Sequence, residues 1–299
     1  MPFQYSDLPD LSGKTFIITG ATAGLGKSQA HNLAKYNAHV IVVGRSEAKV
    51  QEVVESIKTE SKNQNVEGMI ADLMDLKSVA SFCDAFLSKN IPLYSLTLNA
   101  ATLADTTELS KDGIEKQWQT NMLAQYCLCM KLLPALKKSS EARIAIVSSA
   151  LHFSPKSKFP LTAEYINADA SYSKLKRYGE TKCANVLFTR YLSKHLVENG
   201  HENIFVNCLH PGVVATDIFR DSWTPIRLFF SWVLTAPDKG AKTQTYLSAS
   251  PEVAEQKYKG EYFVPDAKLS KASTVATDDS FGQELVEFLE SQLRSATSS

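Results

Sequence analysis

Short apolar runs alternate with longer segments of helical periodicity along almost the whole chain. Runs such as TFIIT and HVIVV are apolar throughout, which is typical of strands that are buried on both faces of a parallel sheet. Between them the apolar positions recur three and four residues apart, as on one face of a helix. The pattern predicts strands at residues 15–19, 39–43, 66–71, 94–98, 143–149, 204–209 and 260–264. It predicts helices that begin near residues 24, 46, 75 and 178, and two more over 112–136 and 281–293.

Strands that alternate with helices in this order predict an α/β protein of the doubly wound, Rossmann type, with about seven parallel strands. No repeat, low-complexity tract or linker interrupts the alternation, so we expect one domain over residues 1–299. Two segments depart from the pattern, at about residues 150–177 and 217–237. Segments of this length without regular structure are often binding loops, so we expect both to line a substrate pocket.

The composition limits the classes of function. Lys and Arg together number 32, as do Asp and Glu, so the net charge of zero gives no electrostatic reason to expect a nucleic-acid partner. The five scattered cysteines are typical of reduced thiols and suggest no metal site. The amino terminus lacks the features of a signal peptide, and the longest strongly apolar stretch, residues 226–234, is far too short to span a membrane. We expect a cytoplasmic protein, leaving open a peripheral contact with an endoplasmic-reticulum or lipid-droplet surface, and a homodimer is compatible with the sequence.

A glycine-rich turn directly follows the first predicted strand. The stretch TGATAGLG places Gly20, Gly24 and Gly26 between that strand and the first helix. Glycine lets the backbone turn sharply and approach a phosphate closely, and the N-terminus of the following helix favours the anion. In this context the turn predicts a dinucleotide site, with Thr22 and Leu25 among the contacts.

The end of the second predicted strand bears on the choice of nucleotide. A site that prefers NAD usually has a carboxylate here for the adenosine 2′-hydroxyl, whereas this chain has Gly44 and Arg45. The Arg45 guanidinium can bind a 2′-phosphate in a forked geometry, and Ser46 has the position of a helix N-cap that faces the same anion. The sequence therefore favours NADP(H) over NAD(H).

Further motifs follow in a fixed order. They are ADL around Asp72, LNAA around Asn99, TNMLAQ with Asn121, VSS ending at Ser149, Y-x-x-x-K, and HPGVVATD from His210. With this set the chain resembles the short-chain dehydrogenase/reductase family over about residues 10–295. The segments KCANVLF, HPGVVAT and GEYF resemble its retinol-dehydrogenase-like and WW-domain-oxidoreductase-like branch, without a WW module. Ala101 and Ala124 replace glycines of the family pattern, which concerns local packing and leaves the chemistry in place.

The resemblance implies a reaction and the residues that carry it. It implies hydride transfer between a nicotinamide cofactor and a carbonyl or alcohol, with Tyr178 as general acid and base. Lys182, together with the positive nicotinamide of the oxidised cofactor, would lower the pKa of the Tyr178 phenol. Ser149 would hydrogen-bond the substrate oxygen, with Ser148 as the alternative, and Asn121 would either tie a relay water to the lysine or satisfy an irregular helix. Beyond the glycine-rich turn and Arg45, the implied cofactor contacts are Asp72, Leu73, Asn99, Ala100, Tyr178, Lys182, Pro211, Gly212, Val214 and Thr216.

The Y-x-x-x-K pattern occurs twice, because Tyr172 precedes Lys176 by the same spacing as Tyr178 precedes Lys182. The family resemblance aligns the second pair, since KCANVLFTRYL contains its lysine and continues the motif. The residues after Tyr178 also have the spacing of a helix that packs on a sheet, whereas residues 171–176 are polar and lysine-rich, like a loop or a frayed helix start. We therefore expect the second pair to be catalytic, and Tyr172 to be partly exposed near the substrate.

The substrate is expected to be a hydrophobic or aromatic carbonyl compound or its alcohol. A helix predicted over residues 225–235 has its polar residues in a single stripe and includes Phe229, Phe230 and Trp232. Such a helix must be covered by protein, by a bulky apolar substrate or by a membrane surface. We interpret the chain as an NADP(H)-dependent carbonyl reductase or alcohol dehydrogenase. The alternatives are a retinoid or lipid dehydrogenase at a membrane surface and a non-catalytic NADP(H) sensor.

Overall fold

One sheet of eight strands organises the protein. The computed structural model describes residues 3–169, 172–212 and 237–297. The strands are β1 Thr15–Thr19, β2 His39–Gly44, β3 Val66–Ile70, β4 Ser95–Leu98, β5 Ala142–Val147, β6 Ile204–Leu209, β7 Tyr262–Val264 and β8 Lys268–Ser270. Their order across the sheet is β3-β2-β1-β4-β5-β6-β7-β8, and neighbours pair in parallel except for β7 and β8, which are antiparallel. The predicted doubly wound α/β fold is confirmed, and β8 is added to the predicted strands.

Strand β8 has no signature in the sequence pattern. It is three residues long, and Lys268 and Leu269 are both exposed, so it has no apolar run that could be recognised. It pairs with β7 because the chain reverses at Pro265–Ala267, where Asp266 and Ala267 have φ angles of 62° and 57°. The reversal places an antiparallel strand at the edge of an otherwise parallel sheet.

Helices cover both faces of the sheet. They are α1 Gly24–Lys35, α2 Glu47–Ser61, α3 Leu76–Ser88, α4 Lys116–Trp118, α5 Ala124–Lys137, α6 Ala163–Ile166, α7 Lys174–Glu198, α8 Pro237–Ala249, α9 Glu252–Glu255 and α10 Asp279–Thr297. A π-helical segment, Gln119–Leu123, joins α4 to α5. On one face, α1, α2 and α8 pack on residues such as Ile18 and Val42. On the other, α3, α5, α7 and α10 pack on residues such as Ile17 and Ile144.

Two helices begin elsewhere than the pattern predicts. The helix predicted from residue 112 starts at Lys116, because Gly113 has a φ of 73° and the Glu115 carboxylate caps the helix by accepting from the Gln117 and Trp118 N–H groups. In the other direction, α7 begins at Lys174, so residues 174–176 are helical and extend the helix ahead of Tyr178.

The strand order indicates which edge of the sheet binds a ligand. The chain order reverses between β1 and β4, which lie side by side, and open α/β sheets bind ligands at the carboxyl ends of the strands next to such a reversal. The glycine-rich turn, Asn99, Ser149 and Pro211 follow β1, β4, β5 and β6 respectively, so all four lie at this edge.

Candidate active site

The turn after β1 requires its glycines. Gly20 and Gly24 have φ angles of 65° and 53°, in the left-handed region. A Cβ on Gly20 would lie 2.9 Å from the Ala100 Cα, and one on Gly26 would lie 2.6 Å from the Gly20 carbonyl oxygen. The N-cap residue of α1, Ala23, makes no side-chain hydrogen bond to the helix. The turn therefore leads into main-chain N–H groups that no N-cap side chain satisfies, which fits the pyrophosphate of a dinucleotide.

Asn99 and Ala100 fasten this turn to the end of β4. Asn99 Nδ2 donates to the Thr19 carbonyl oxygen at 2.8 Å, and the main-chain N–H groups of Asn99 and Ala100 both donate to the Thr19 hydroxyl at 3.0 Å. From α5, Gln125 Nε2 donates to the Ala100 carbonyl oxygen at 2.7 Å. Both residues predicted to contact the cofactor thus lie against the glycine-rich turn and hold its shape.

The residues predicted to select the nucleotide lie at the end of β2. Arg45 is exposed, and Ser46 occupies the N-cap position of α2 without making the side-chain cap hydrogen bond. A Cβ on Gly44 would lie 2.6 Å from Thr22 Cγ2 and 2.9 Å from Val50 Cγ2. An acidic side chain at position 44 would therefore displace its neighbours, whereas the guanidinium of Arg45 and the first turn of α2 are accessible to an anion.

Asp72 and Leu73 follow β3 at the same edge of the sheet. Asp72 Oδ1 accepts from the Met74 N–H at 3.0 Å, and the Asp72 N–H donates to the Ser78 hydroxyl at 3.0 Å, which orients the carboxylate. Leu73 is buried, as is Leu25 in the first turn of α1. Asp72 is half-buried, so its carboxylate remains partly accessible at this edge.

Tyr178, Lys182 and Ser149 come together beyond the end of β5. The Lys182 nitrogen lies 5.4 Å from the centroid of the Tyr178 ring and donates to the Val147 carbonyl oxygen at 2.8 Å. Tyr178 is 8% exposed and Lys182 1%, whereas Ser149 is half-buried. The alternative serine, Ser148, is buried and donates its hydroxyl to the Lys182 carbonyl oxygen at 2.8 Å. Of the two serines, Ser149 is therefore the one with access to a ligand.

Burial sets the protonation of this group. It raises the pKa of the Tyr178 phenol above its ordinary value, although a hydrogen bond with Ser149 acts in the opposite direction. It lowers the pKa of Lys182 to about 7. Both shifts follow from burial, because a poorly solvated site disfavours either charge. Burial thus favours the neutral form of both groups. The expectation that Lys182 and the positive nicotinamide of the oxidised cofactor together lower the pKa of the phenol stays a prediction.

Asn121 lies in the π-helical segment. Its Oδ1 accepts from the Thr102 N–H at 2.7 Å, and its Nδ2 donates to the Thr102 carbonyl oxygen at 2.9 Å and to the Thr181 hydroxyl at 3.2 Å. The side chain therefore pairs with the loop after β4 and with α7, and its hydrogen bonds do not include Lys182. This is the placement expected if Asn121 satisfies polar groups beside an irregular helix, and its role toward a relay water stays a prediction.

The side chains of the other Y-x-x-x-K pair, Tyr172 and Lys176, contact other residues. The Tyr172 hydroxyl accepts from Gln117 Nε2 at 2.6 Å and donates to the Ala104 carbonyl oxygen at 2.9 Å. The Lys176 nitrogen lies 5.5 Å from the centroid of the Tyr165 ring. Tyr172 is half-buried, and its hydroxyl is bound to protein, so it is a structural residue in this arrangement.

Comparison with known proteins agrees with this architecture. The model of the family described as short chain dehydrogenase matches residues 14–226. The chain belongs to the short-chain dehydrogenase family. Polyprenol dehydrogenase of Homo sapiens is 33% identical over 93% of this chain and 84% of that protein, and retinol dehydrogenase 14 of Mus musculus is 34% identical over 92% and 84%. The crystal structure of an uncharacterized protein from Mycobacterium Paratuberculosis superposes with a TM-score of 0.79, 26% identity and coverage of 98% of each chain.

The resemblance inferred from the motifs is thus confirmed, and this short-chain dehydrogenase has the oxidoreductase fold of its family. Pro211 and Gly212 follow β6, where Gly212 has a φ of 86°. Val214, Thr216 and the predicted helix with Phe229, Phe230 and Trp232 lie outside the described residues. Among the residues that are described, no helix is both long enough and apolar enough to cross a membrane.

This short-chain dehydrogenase also has a buried cluster of charged side chains that the motifs do not predict. Arg177, next to Tyr178, is 6% exposed. Its Nη1 donates to Glu180 at 2.7 Å and its Nη2 to the Tyr165 carbonyl oxygen at 2.8 Å, while the Tyr165 hydroxyl donates to Glu180 at 2.5 Å. The only signal in the sequence is the three-residue spacing of Arg177 and Glu180 on a helix. The group ties α6 to the turn of α7 that carries Tyr178.

Proposed function

We propose that the protein is an NADP(H)-dependent oxidoreductase that interconverts a carbonyl and an alcohol on an apolar substrate. The observation that carries the proposal is the burial of Tyr178 and Lys182 beside Ser149, at the edge of the sheet that also holds the glycine-rich turn. Membership of the family supplies the reaction class, and the residues of this chain supply the acid, the cation and the hydrogen-bond donor that the reaction needs.

NADPH, when bound, supplies the hydride, and NADP⁺ accepts it in the reverse direction. Ser149 would donate its hydroxyl hydrogen to the substrate oxygen in exchange for its hydrogen bond with Tyr178, while the Leu151 N–H donates to Ser149 Oγ at 3.2 Å. Tyr178 gives its proton to the same oxygen as negative charge develops there. Lys182, with a pKa lowered to about 7, can return a proton to the site at neutral pH.

Asn121 acts in this scheme as a positioning residue. Its two hydrogen bonds to Thr102 hold the loop after β4, whose first residues, Asn99 and Ala100, fasten the glycine-rich turn. The third, to Thr181, joins that loop to α7 between Tyr178 and Lys182. We therefore assign its side chain to the geometry of the site.

Three features support NADP(H) over NAD(H). Arg45 is exposed at the end of β2, Ser46 leaves the N-terminus of α2 without a side-chain cap, and a carboxylate side chain at Gly44 would have to displace Thr22 and Val50. A guanidinium and a helix N-terminus both favour a phosphate. The 2′-phosphate of NADP(H) fits this position.

An apolar substrate is supported by side chains on the two segments that carry the site. Leu151 and Phe153 follow Ser149 on a short 3₁₀ turn and are 36% and 44% exposed, and Leu175 in the first turn of α7 is 50% exposed. Exposed apolar groups beside a site fit a hydrophobic ligand. Two relatives are named for retinol and polyprenol, both alcohols with long apolar chains. We propose a substrate of this chemical class, which includes lipid-like alcohols and aldehydes that partition into membranes.

The test is a set of initial rates with purified protein. NADPH and NADH at equal concentration are each combined with all-trans-retinal, geranylgeranial, a soluble aromatic aldehyde and, as a polar control, glyceraldehyde. We expect NADPH oxidation with the apolar aldehydes and little with glyceraldehyde or NADH. Turnover that appears only when liposomes carry the substrate would favour the membrane-surface enzyme. Tight NADPH binding in a fluorescence titration, without turnover of any compound, would favour the non-catalytic sensor and reject the proposal.

A further inference from the structure

His152 is buried and lies next to the main chain of Ser149. Its Nδ1 lies 2.7 Å from the Ser149 carbonyl oxygen, and its Nε2 accepts from the Ser273 N–H at 3.2 Å. A carbonyl oxygen can only accept and a main-chain N–H can only donate. Nδ1 must therefore carry the ring proton and Nε2 must lack one, so His152 is neutral in a single tautomer.

His210 is held in the opposite tautomer. The Gly212 N–H donates to His210 Nδ1 at 3.0 Å, so the ring proton is on Nε2. The His210 N–H itself donates to the Phe263 carbonyl oxygen at 3.0 Å, which fixes the residue to β7. The ring thus reaches from the sheet to the turn at Gly212, one of the predicted cofactor contacts.

One aromatic side chain joins the two histidines. The centroid of the Tyr262 ring lies 4.6 Å from that of His152 and 6.0 Å from that of His210. Tyr262 is buried, and within the described residues its hydroxyl has no hydrogen-bond partner. The two imidazoles and this phenol form a cluster that we call the His–Tyr–His group. It connects the turn after β5 to the turn after β6 through β7.

We propose that His152 and His210 are positioning residues: His152 fixes the main chain that carries the Ser149 hydroxyl, and His210 fixes the main chain at Gly212. The roles of Ser149 and Gly212 rest on the proposed function. Each histidine does this only while one ring nitrogen accepts a hydrogen bond. A protonated ring has two N–H groups and no acceptor. Its second N–H would point at the N–H of Ser273 or of Gly212, so that hydrogen bond would be lost and the adjoining turn would no longer be held.

The surroundings keep both rings neutral. Burial lowers the pKa of His152 and of His210 below the ordinary value of 6.5, and at His152 it outweighs the opposite effect of the hydrogen bond to the Ser149 carbonyl oxygen. No carboxylate is among the causes of either pKa shift. The elements packed around the cluster carry Tyr262, Cys208 and the half-buried Glu261 at the sheet, and Tyr178, Lys182 and Glu180 on α7, where Glu180 pairs with Arg177 at 2.7 Å. The charged side chains of the adjoining segments are exposed; they are Lys156, Asp266, Lys268 and Lys271.

The arrangement predicts a loss of stability and of turnover in acid. The unfolded chain binds protons on its histidines as the pH falls through 6.5, before the folded chain does, so the free energy of unfolding falls as the pH drops from 6.5 toward the lower folded pKa. As the rings become protonated, the turns at Ser149 and Gly212 are released. The rate of turnover should therefore fall at acid pH, and protonation of His152 and His210 should cause this fall.

The first test reads the tautomers directly and needs no substrate. Long-range ¹H–¹⁵N correlation spectra of the ¹⁵N-labelled protein should show His152 protonated on Nδ1 only and His210 on Nε2 only at pH 7. Both should still be neutral at pH 6.5, because burial lowers their pKa below that ordinary value. The exposed His195 of α7 lies outside the cluster and provides the control variant. Either ring in the other tautomer, or charged at pH 7, would overturn the proposal.

The second test asks whether these hydrogen bonds matter to the site. His210→Asn keeps an oxygen acceptor for the Gly212 N–H and does not titrate, whereas His210→Leu removes the acceptor. We expect NADPH affinity close to wild type and less dependent on acid for His210→Asn, and a loss of about tenfold or more for His210→Leu, the scale of one hydrogen bond. His152→Gln should keep more of kcat than His152→Leu, with NADPH affinity unchanged in both. His195→Asn should change none of these quantities.

These measurements separate the two proposals. Wild-type protein that binds NADPH but turns over no compound would reject the proposed function, while the NADPH affinities of the His210 variants would still decide the positioning role. If His210→Leu binds NADPH as wild type does at pH 5.5 and 7.5, or if His152→Leu keeps the kcat of His152→Gln, the two histidines only fill space. Thermal denaturation of each variant shows which of them are folded well enough to be compared.

Discussion

Replacing Tyr178 with phenylalanine removes one oxygen from the candidate site and leaves the ring in place. The ring is buried, so the substitution keeps its packing. The hydroxyl takes part in a hydrogen bond with Ser149, and a typical intramolecular hydrogen bond contributes about 0.5–1.5 kcal/mol to stability. Because desolvation of the buried oxygen offsets part of that amount, we expect Tyr178→Phe to change the free energy of unfolding by less than about 1.5 kcal/mol. Loss of the proton donor should lower turnover by about 10²–10⁴-fold.

Tyr172→Phe is the matched control, because it makes the same chemical change in the other Y-x-x-x-K pair. The Tyr172 hydroxyl bonds to Gln117 Nε2 and to the Ala104 carbonyl oxygen. Gln117 Nε2 also donates to the Lys174 carbonyl oxygen at 3.2 Å, so it keeps a partner, whereas Ala104 loses this one. A polar group left unpaired costs about 1–3 kcal/mol, and we expect a loss of stability of that size with turnover within a few-fold of wild type.

The assay combines urea denaturation with initial rates of NADPH oxidation on the best aldehyde of the panel. NADPH affinity, measured by fluorescence, should be nearly the same in both variants and in wild type. The account requires opposite outcomes: turnover lost with stability kept for Tyr178→Phe, and stability lost with turnover kept for Tyr172→Phe. The reverse assignment would show that the catalytic pair is Tyr172 and Lys176.

Three further predictions concern the cofactor and the lysine. Arg45→Ala should weaken NADPH binding by about 1.5–3 kcal/mol and leave NADH nearly unchanged in a fluorescence titration; equal losses would contradict the 2′-phosphate role. Gly26→Ala should weaken both nucleotides and lower the Tm, because its Cβ would lie 2.6 Å from the Gly20 carbonyl oxygen; an unaltered protein would show that the turn relaxes freely. Burial lowers the pKa of Lys182 from 10.5 to about 7, so the unfolded chain binds the extra proton and the free energy of unfolding rises from pH 7 toward 10.5. Urea denaturation should show that rise to be smaller in Lys182→Met, and the same slope in both proteins would place the lysine in a more solvated site.

The sheet and the glycine-rich turn are predictable because their signals are local. Most of the parallel strands are predominantly apolar runs, and Gly20, Gly24 and Gly26 lie close together at the end of β1 and the start of α1. Strand β8 has no such signal, because it is short and exposed. The spacing of Tyr178 and Lys182 predicts that they share a helix face, and the residues that follow favour this pair over Tyr172 and Lys176. The hydrogen bonds of the Tyr172 hydroxyl to Gln117 and Ala104, which are distant in sequence, are visible only in the structure.

The protonation states of the site could not be predicted from the sequence either, because they also depend on contacts between distant segments. The pKa of Lys182 is lowered by burial, which depends on segments that are far apart along the chain. The tautomers of His152 and His210 are fixed by Ser273 in one case and by Gly212 in the other, and Tyr262 from β7 joins the two rings. Only the three-dimensional arrangement shows that these residues form one group.

The most direct test of the central claim is the transfer of deuterium. NADPH labelled at C4 of the nicotinamide, as the 4R or the 4S isotopomer, is incubated with wild-type protein and all-trans-retinal, and the retinol formed is analysed by mass spectrometry. The account predicts that deuterium from one isotopomer, and not from the other, appears on the carbinol carbon, and that Tyr178→Phe forms almost no labelled product. Retinol that carries no deuterium from either isotopomer would contradict hydride transfer by this site.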